Sequence, residues 1–181
     1  FGIEQWSTLA GLAIFYGLSN VLLSFAWWHL LGHFGASTRR CWAIRAYGIS
    51  QIAKYIPGNI FHLAGRQTIG MAAGIPGWAL AKSAIWEVGL IATAGILFVP
   101  LTFPFLPLQL PVLAGGGLFI TLLSFAVILI WRFIGPPVAR ALGFQMIFLA
   151  ISGLVFVWII ELHVKIISRE GFIILPIAGS Y

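Results

Sequence analysis

The chain predicts an all-α, polytopic transmembrane helical bundle with a re-entrant helical hairpin, on three observations. Of its 181 residues, 61% are hydrophobic and 8% are charged, where a soluble domain carries about 25% charged residues. Mean hydropathy is +1.05, and uncharged runs long enough to cross a hydrocarbon core of ~30 Å recur along the sequence. These runs are continuous instead of alternating polar with apolar. Lipid offers the backbone no water, so only helices and closed barrels cross it, and continuous runs select helices.

The first span covers 6–31, with no formally charged residue and with Trp6, Trp27 and Trp28 placed for the two interfaces. It is too long, and its flank too poor in basic residues, for a cleaved signal peptide. "GHFGASTRRCWAIR" follows and concentrates Arg39, Arg40 and Arg45, which assigns this loop to the cytoplasm by the positive-inside tendency. Two short apolar pieces then fill 41–74, separated by Pro57-Gly58. At about 15 residues each they extend roughly 22 Å as helices, less than the core thickness. The next span, 77–99, has Lys82 near its start and ends in the uncharged, proline-rich "PLTFPFLPLQLP", expected outside. Span 111–131 returns to "RFIGPPVARALG", where Arg132 and Arg140 mark the cytoplasm, and 143–162 is the last span. Lys165 and Arg169, partly offset by Glu170, run against the tendency beyond it.

This charge bookkeeping constrains 41–74. The Arg39/Arg40 loop and the Lys82 end of the next long helix both fall inside, so the two short helices enter and leave on one face. A re-entrant hairpin breaking at Pro57-Gly58 satisfies length and charge, and it implies a protein-lined cleft. Two tilted helices lying in the interface are the alternative. The chain lacks an initiator Met and stops as another apolar stretch, "GFIILPIAGSY", begins. It is therefore expected to be one transmembrane domain cut from a longer membrane domain.

The hairpin carries the polar residues. Tyr47, Ser50, Gln51 and Lys54 fall at i, i+3, i+4 and i+7, one stripe on an apolar rod. Asn59, His62 and Arg66 form a second stripe. Asn59 is placed to cap the helix after the Pro57-Gly58 turn, and a helix N-terminus attracts an anion. With Lys54, His62 and Arg66 the tip reads as a cationic pocket. Glu87 lies ~15 Å into the next long helix, where an ionised carboxylate costs at least ~2.5–3.5 kcal/mol unless paired or wet. Lys82 does not share its face, so Lys54 and Arg66 are the expected partners. Two readings stay open: a structural ion-pair network, and a site for an anionic lipid headgroup.

At these residues "SQIAKYIPGNIFHLAGRQ", with a Glu in the following long helix, resembles the lysylphosphatidylglycerol synthase transmembrane family. The matching pattern is Lys54-Tyr55-Ile56-Pro57-Gly58 with Arg66 soon after. The resemblance covers about the first half of the family's length. Where many members have Gly-Gly-Asp before the arginine, this chain has "HLAG". It implies re-entrant helices in a bacterial or archaeal plasma membrane and translocation of an anionic phospholipid or lipid-linked phosphate. Lys54, Tyr55, Pro57, Gly58, Asn59, His62, Arg66 and Glu87 are then the expected substrate-binding residues. The alternative function is a non-catalytic accessory subunit for a lipid-dependent glycosyl- or aminoacyl-transferase; a third is a membrane scaffold.

Other features point elsewhere or nowhere. The net charge of +6 follows topology, and no basic stripe interleaved with aromatics argues for nucleic acid. Cys41 is the single cysteine, which excludes a disulfide framework. His29 and His33 stand at i, i+4 but have no third ligand near in sequence, so no metal is expected. Ser50, Ser83 and Ser124 lack a matching base and acid, and no cofactor motif occurs; no catalytic constellation is visible. Gly70 and Gly74 read as small-residue helix packing, Gly115-Gly116-Gly117 as a packing or bending element, and Glu161 with Lys165 as an i, i+4 pair.

Overall fold

A computed structural model of the chain describes residues 3–53, 61–105 and 111–174. The chain is an all-α bundle: α1 Ile3–His33, α2 Arg40–Ile52, α3 Phe61–Ala72, α4 Gly77–Phe98, α5 Val112–Phe133 and α6 Pro136–Ile174. A 3₁₀ segment, Val99–Phe105, continues from α4. Among the described residues no strand occurs. Among the described residues four stretches are long and apolar enough to cross a membrane: Gln5–His33, Gly77–Pro104, Val112–Phe133 and Pro136–Val164. They are what an integral membrane protein requires, and the apolar exterior agrees. Of the α5 residues only Gly115 is buried, while Leu113, Phe125, Ile128 and Phe133 are exposed. In water such a surface would be an aggregation hazard; against lipid it is the ordinary outside of a helix.

The chain divides into two compact units, Asn20–Leu149 and Phe1–Ser19 with Ala150–Tyr181. In the second, Leu12 of α1 and Val155 of α6 are buried beside an apolar groove. In the first, two apolar clusters hold the helices. One joins Leu23, Trp27 and Leu31 of α1 to Ala43, Ala46 and Tyr47 of α2 and to Ala79 and Leu80 of α4. The other joins Ala26 and Leu30 of α1 to Leu90 and Ala94 of α4 and to Val138, Ala141 and Leu142 of α6. Ala26, Ala43, Ala79, Ala94 and Ala141 are fully buried. Lipid tails are as apolar as leucine, so helices in a bilayer associate by close van der Waals packing, which small residues at the contact permit.

α2 has 13 residues and α3 has 12, roughly 20 and 18 Å of helix, each short of a ~30 Å core. They pack on each other. Arg66 lies under the Tyr47 ring, and the two positions are similarly far from the segment that links the helices, as in an antiparallel pair. The left-handed turn residue Gly74, at φ 82°, closes α3. Ile75 N–H bonds the Gly70 carbonyl and Gly74 N–H bonds that of Met71, a Schellman arrangement. Gly35, at φ 77°, closes α1 in the same way. The expected packing pair thus divides its work. Gly74 caps, whereas Gly70 packs: a Cβ there would sit 2.5 Å from a Leu80 methyl.

Three expectations are corrected. The loop placed at 132–143 shrinks to 134–135, because Pro136 and Pro137 open α6. Proline has no N–H to leave unpaired at a first turn and its φ is preset for helix; Arg140 consequently stands on a helix. α6 also runs on through the stretch read as a loop after 162, to Ile174, since no proline interrupts 138–174. Trp27, expected at an interface, is 1% exposed and is covered by α2, its ring centroid 5.9 Å from that of Trp42.

Candidate functional site

Position by position, the α2 stripe points into protein: Tyr47 and Ser50 are buried and Gln51 is half-buried. On α3, Arg66 and Gly70 are the buried residues, one turn apart. On α4, Ser83, Glu87 and Leu90 share a buried face. The three faces meet around Glu87, the eleventh residue of a 22-residue helix and therefore near its middle.

Arg66 and Glu87 form a two-pronged ion pair. Nη2 lies 2.7 Å from Oε2, and Nη1 donates to Oε1 at 3.1 Å. The Tyr47 hydroxyl donates to the same Oε1 at 2.8 Å. The Nη2–Oε2 pair is held by charge without a well-aligned N–H···O. The guanidinium carbon is also 4.7 Å from the Tyr47 ring centroid and 5.0 Å from that of Trp27, so two aromatic faces flank the cation. Planarity is what allows one group to face rings and fork onto a carboxylate, and lysine lacks it.

A further layer fixes these groups. The Trp27 indole N–H donates to the Ser83 hydroxyl at 3.0 Å, which donates to the Leu80 carbonyl at 2.7 Å. The Gln145 amide donates to the Glu87 backbone carbonyl at 3.1 Å, and the Gln67 amide to the Leu80 carbonyl at 3.1 Å. Arg66 is 1% exposed, yet its Nε has no hydrogen-bond partner among the described residues; the buried Gln51 Nε2 and Gln145 Oε1 are likewise without one there. A charge this deep is tolerable only when paired; Glu87 supplies the counter-charge, while Nε, like Nη2, has no hydrogen bond among the described residues.

Of the expected binding residues, Arg66 and Glu87 come together as ion-pair partners. His62 is half-buried one turn before Arg66 on α3. Lys54, Tyr55, Pro57, Gly58 and Asn59 lie outside the described residues. Sequence reading had Tyr47 on the polar stripe without a role, and it missed Trp27, Ser83 and Gln145. A signal existed for two of them: Ser83 precedes Glu87 by one turn, and Trp27 repeats the spacing of Leu23 and Leu31. Gln145, a neutral residue in an apolar run, offered no pattern. His29 stacks on Phe144 with ring centroids 5.7 Å apart, and His33 meets Phe34 edge-on at 5.0 Å.

No protein-family model, no curated protein and no solved structure matches the chain.

Proposed function

We propose that the α2–α3 hairpin is a re-entrant site for an anionic phospholipid headgroup or lipid-linked phosphate, in a translocase of the lysylphosphatidylglycerol synthase transmembrane type. The observation that carries this reading is the Nε donor of a fully buried Arg66, unmet among the described residues. An N–H left without an acceptor in an apolar setting costs about 1–3 kcal/mol, more on a charged group, and a phosphate oxygen removes that penalty. Charge supports the same ligand. Across the sequence 20–149 Glu87 is the one acidic residue, against Arg39, Arg40, Arg45, Lys54, Arg66, Lys82, Arg132 and Arg140. Among the described residues the cation that Glu87 pairs with is Arg66, and the sequence supplies Lys54 as a further cation for the ligand.

Each residue then has a task. Glu87, oriented by Tyr47, holds the guanidinium by its two terminal nitrogens and leaves the Nε edge to the ligand. Lys54 and Asn59, which lie outside the described residues, are assigned on this reading as a second cation and a polar group for the headgroup. Rocking of the bundle around the held headgroup carries it between leaflets.

The test is equilibrium binding of labelled phosphatidylglycerol, against phosphatidylcholine, to the purified chain and to Arg66→Lys. Lysine keeps the charge opposite Glu87 but has no Nε–H. The reading expects anionic preference in the wild type and its loss in a folded Arg66→Lys. Equal preference in both would overturn the assignment and favour a structural ion pair. Binding without exchange between leaflets would identify an accessory lipid-holding subunit instead.

A further inference from the structure

α4 and α5 pack on each other within one compact unit and leave an apolar groove of about 410 Å³, lined by Ile85, Trp86, Gly89, Thr93, Ile130 and Ile134 among others. That volume lies within the roughly 300–1,000 Å³ range of small-ligand sites. Neither Arg66 nor Glu87 lines the groove, so it is independent of the hairpin.

Its walls are built. Trp86 is half-buried, with its ring centroid 6.4 Å from that of His33 and 6.4 Å from that of Phe34, so the end of α1 backs it. The Thr93 hydroxyl donates to the Gly89 carbonyl at 2.8 Å, which satisfies it within the helix. Gly89 leaves the floor open, since a Cβ there would meet nothing within 4 Å. From 85 to 93 the α4 wall rises roughly 12 Å, against roughly 15 Å for the hydrocarbon of one leaflet. One end carries a cation. Lys82, Trp86, Gly89 and Thr93 fall at i, i+4, i+7 and i+11, on one face of α4. The Lys82 Nζ reaches back toward the start of that helix, 5.3 Å from the Trp78 ring centroid, as a lysine does when it extends to the interface beside an interfacial tryptophan. Among the described residues Lys82 has no carboxylate partner, and Glu87 is held by Arg66.

We infer that this groove seats one acyl chain of an anionic phospholipid, whose phosphate lies beside Lys82. Isoleucines, a tryptophan ring and a satisfied threonine select hydrocarbon, and the groove's length matches a chain of one leaflet. Hydrocarbon alone would not distinguish this lipid from its neighbours, because tails are equally apolar throughout the bilayer. The distinction comes from packing against two helix walls at once and from charge: the Lys82 ammonium belongs to the turn before Trp86, at the groove's interfacial end, and an anionic headgroup supplies the counter-charge the protein does not.

The test places the whole chain in nanodiscs containing phosphatidylglycerol, or in parallel phosphatidylcholine, with a photoactivatable diazirine in the acyl chain, and locates the adducts by peptide mass spectrometry. Adducts of the anionic probe are expected to concentrate on 85–93 and 130–134, above those on the exposed Leu113 and Phe125 of α5. Gly89→Leu fills the groove and is expected to abolish that excess. Gly117→Leu, at an exposed α5 glycine with equal room for a Cβ and outside the groove, is expected to keep it. Circular dichroism checks that both variants fold. A lysine beside an anionic headgroup contributes about five-fold in affinity, so Lys82→Gln is expected to lower the ratio of anionic to zwitterionic adducts in the groove about five-fold. Even labelling along the lipid-facing helices, or an excess that survives Gly89→Leu, would overturn the inference. So would equal labelling by the two probes, or a groove that a second copy of the chain covers and cross-links in place of lipid.

Discussion

Glu87→Gln and Arg66→Met test the ion pair as a thermodynamic unit. Either change alone strands a charge in an apolar interior. Arg66 is 1% exposed and the Glu87 side chain 10%, so water does not readily take over the lost partner. Removing one member of a buried pair costs about 3–5 kcal/mol. The lower end applies in a bilayer or micelle, where the unfolded chain also finds partners. The double variant has neither charge. Its glutamine carbonyl still accepts from Tyr47, and the introduced thioether packs against the Trp27 and Tyr47 rings. We expect about 3 kcal/mol of destabilisation in each single variant and at most about 3 kcal/mol in the double, where independent effects would add to roughly 6. The assay is SDS-induced unfolding of the purified chain in mixed micelles, followed by loss of helical circular dichroism. Additivity within about 0.5 kcal/mol would mean that Arg66 and Glu87 do not interact, and the site described above would be wrong.

Three further outcomes follow from the same geometry. Tyr47→Phe keeps the ring over Arg66 and removes one charge-assisted hydrogen bond, so a loss of about 1.5–3 kcal/mol is expected in the same unfolding assay. Gly70→Ala forces its Cβ into Leu80. It is expected to cost about 1–3 kcal/mol and to recover in part when Leu80→Ala makes room. Gly115→Ala puts a methyl 2.6 Å from the Pro100 backbone carbonyl, which no side-chain rotation relieves. Destabilisation there should resist rescue by substitutions around it, as a paired scan of α5 neighbours would show.

Much of the bundle is legible in the sequence because the bilayer writes it there. A span must be apolar for its whole length, so 77–99 and 111–131 fall within two residues of α4 and α5. The pairing of Glu87 is legible for a related reason: a lone carboxylate at mid-helix demands a cation, and few were close in the chain. Other features depend on information that periodicity does not carry. Pro136-Pro137 reads equally as a loop or as the first turn of a helix, and only the following residues' packing decides. Trp27 obeys the aromatic-belt pattern by its distance from the helix end, yet α2 folds across it. Gln145 reaches the Glu87 carbonyl from 58 positions away, a meeting set by how α4 and α6 pack.

The most direct measurement of the central claim is leaflet exchange by the purified whole chain in liposomes. Labelled phosphatidylglycerol would be followed against labelled phosphatidylcholine, in wild type, Arg66→Lys and Glu87→Gln, with each variant's fold checked by circular dichroism. The account predicts exchange that favours the anionic lipid and is lost in both folded variants. Absence of exchange in the wild type, or exchange unchanged in the variants, would contradict it.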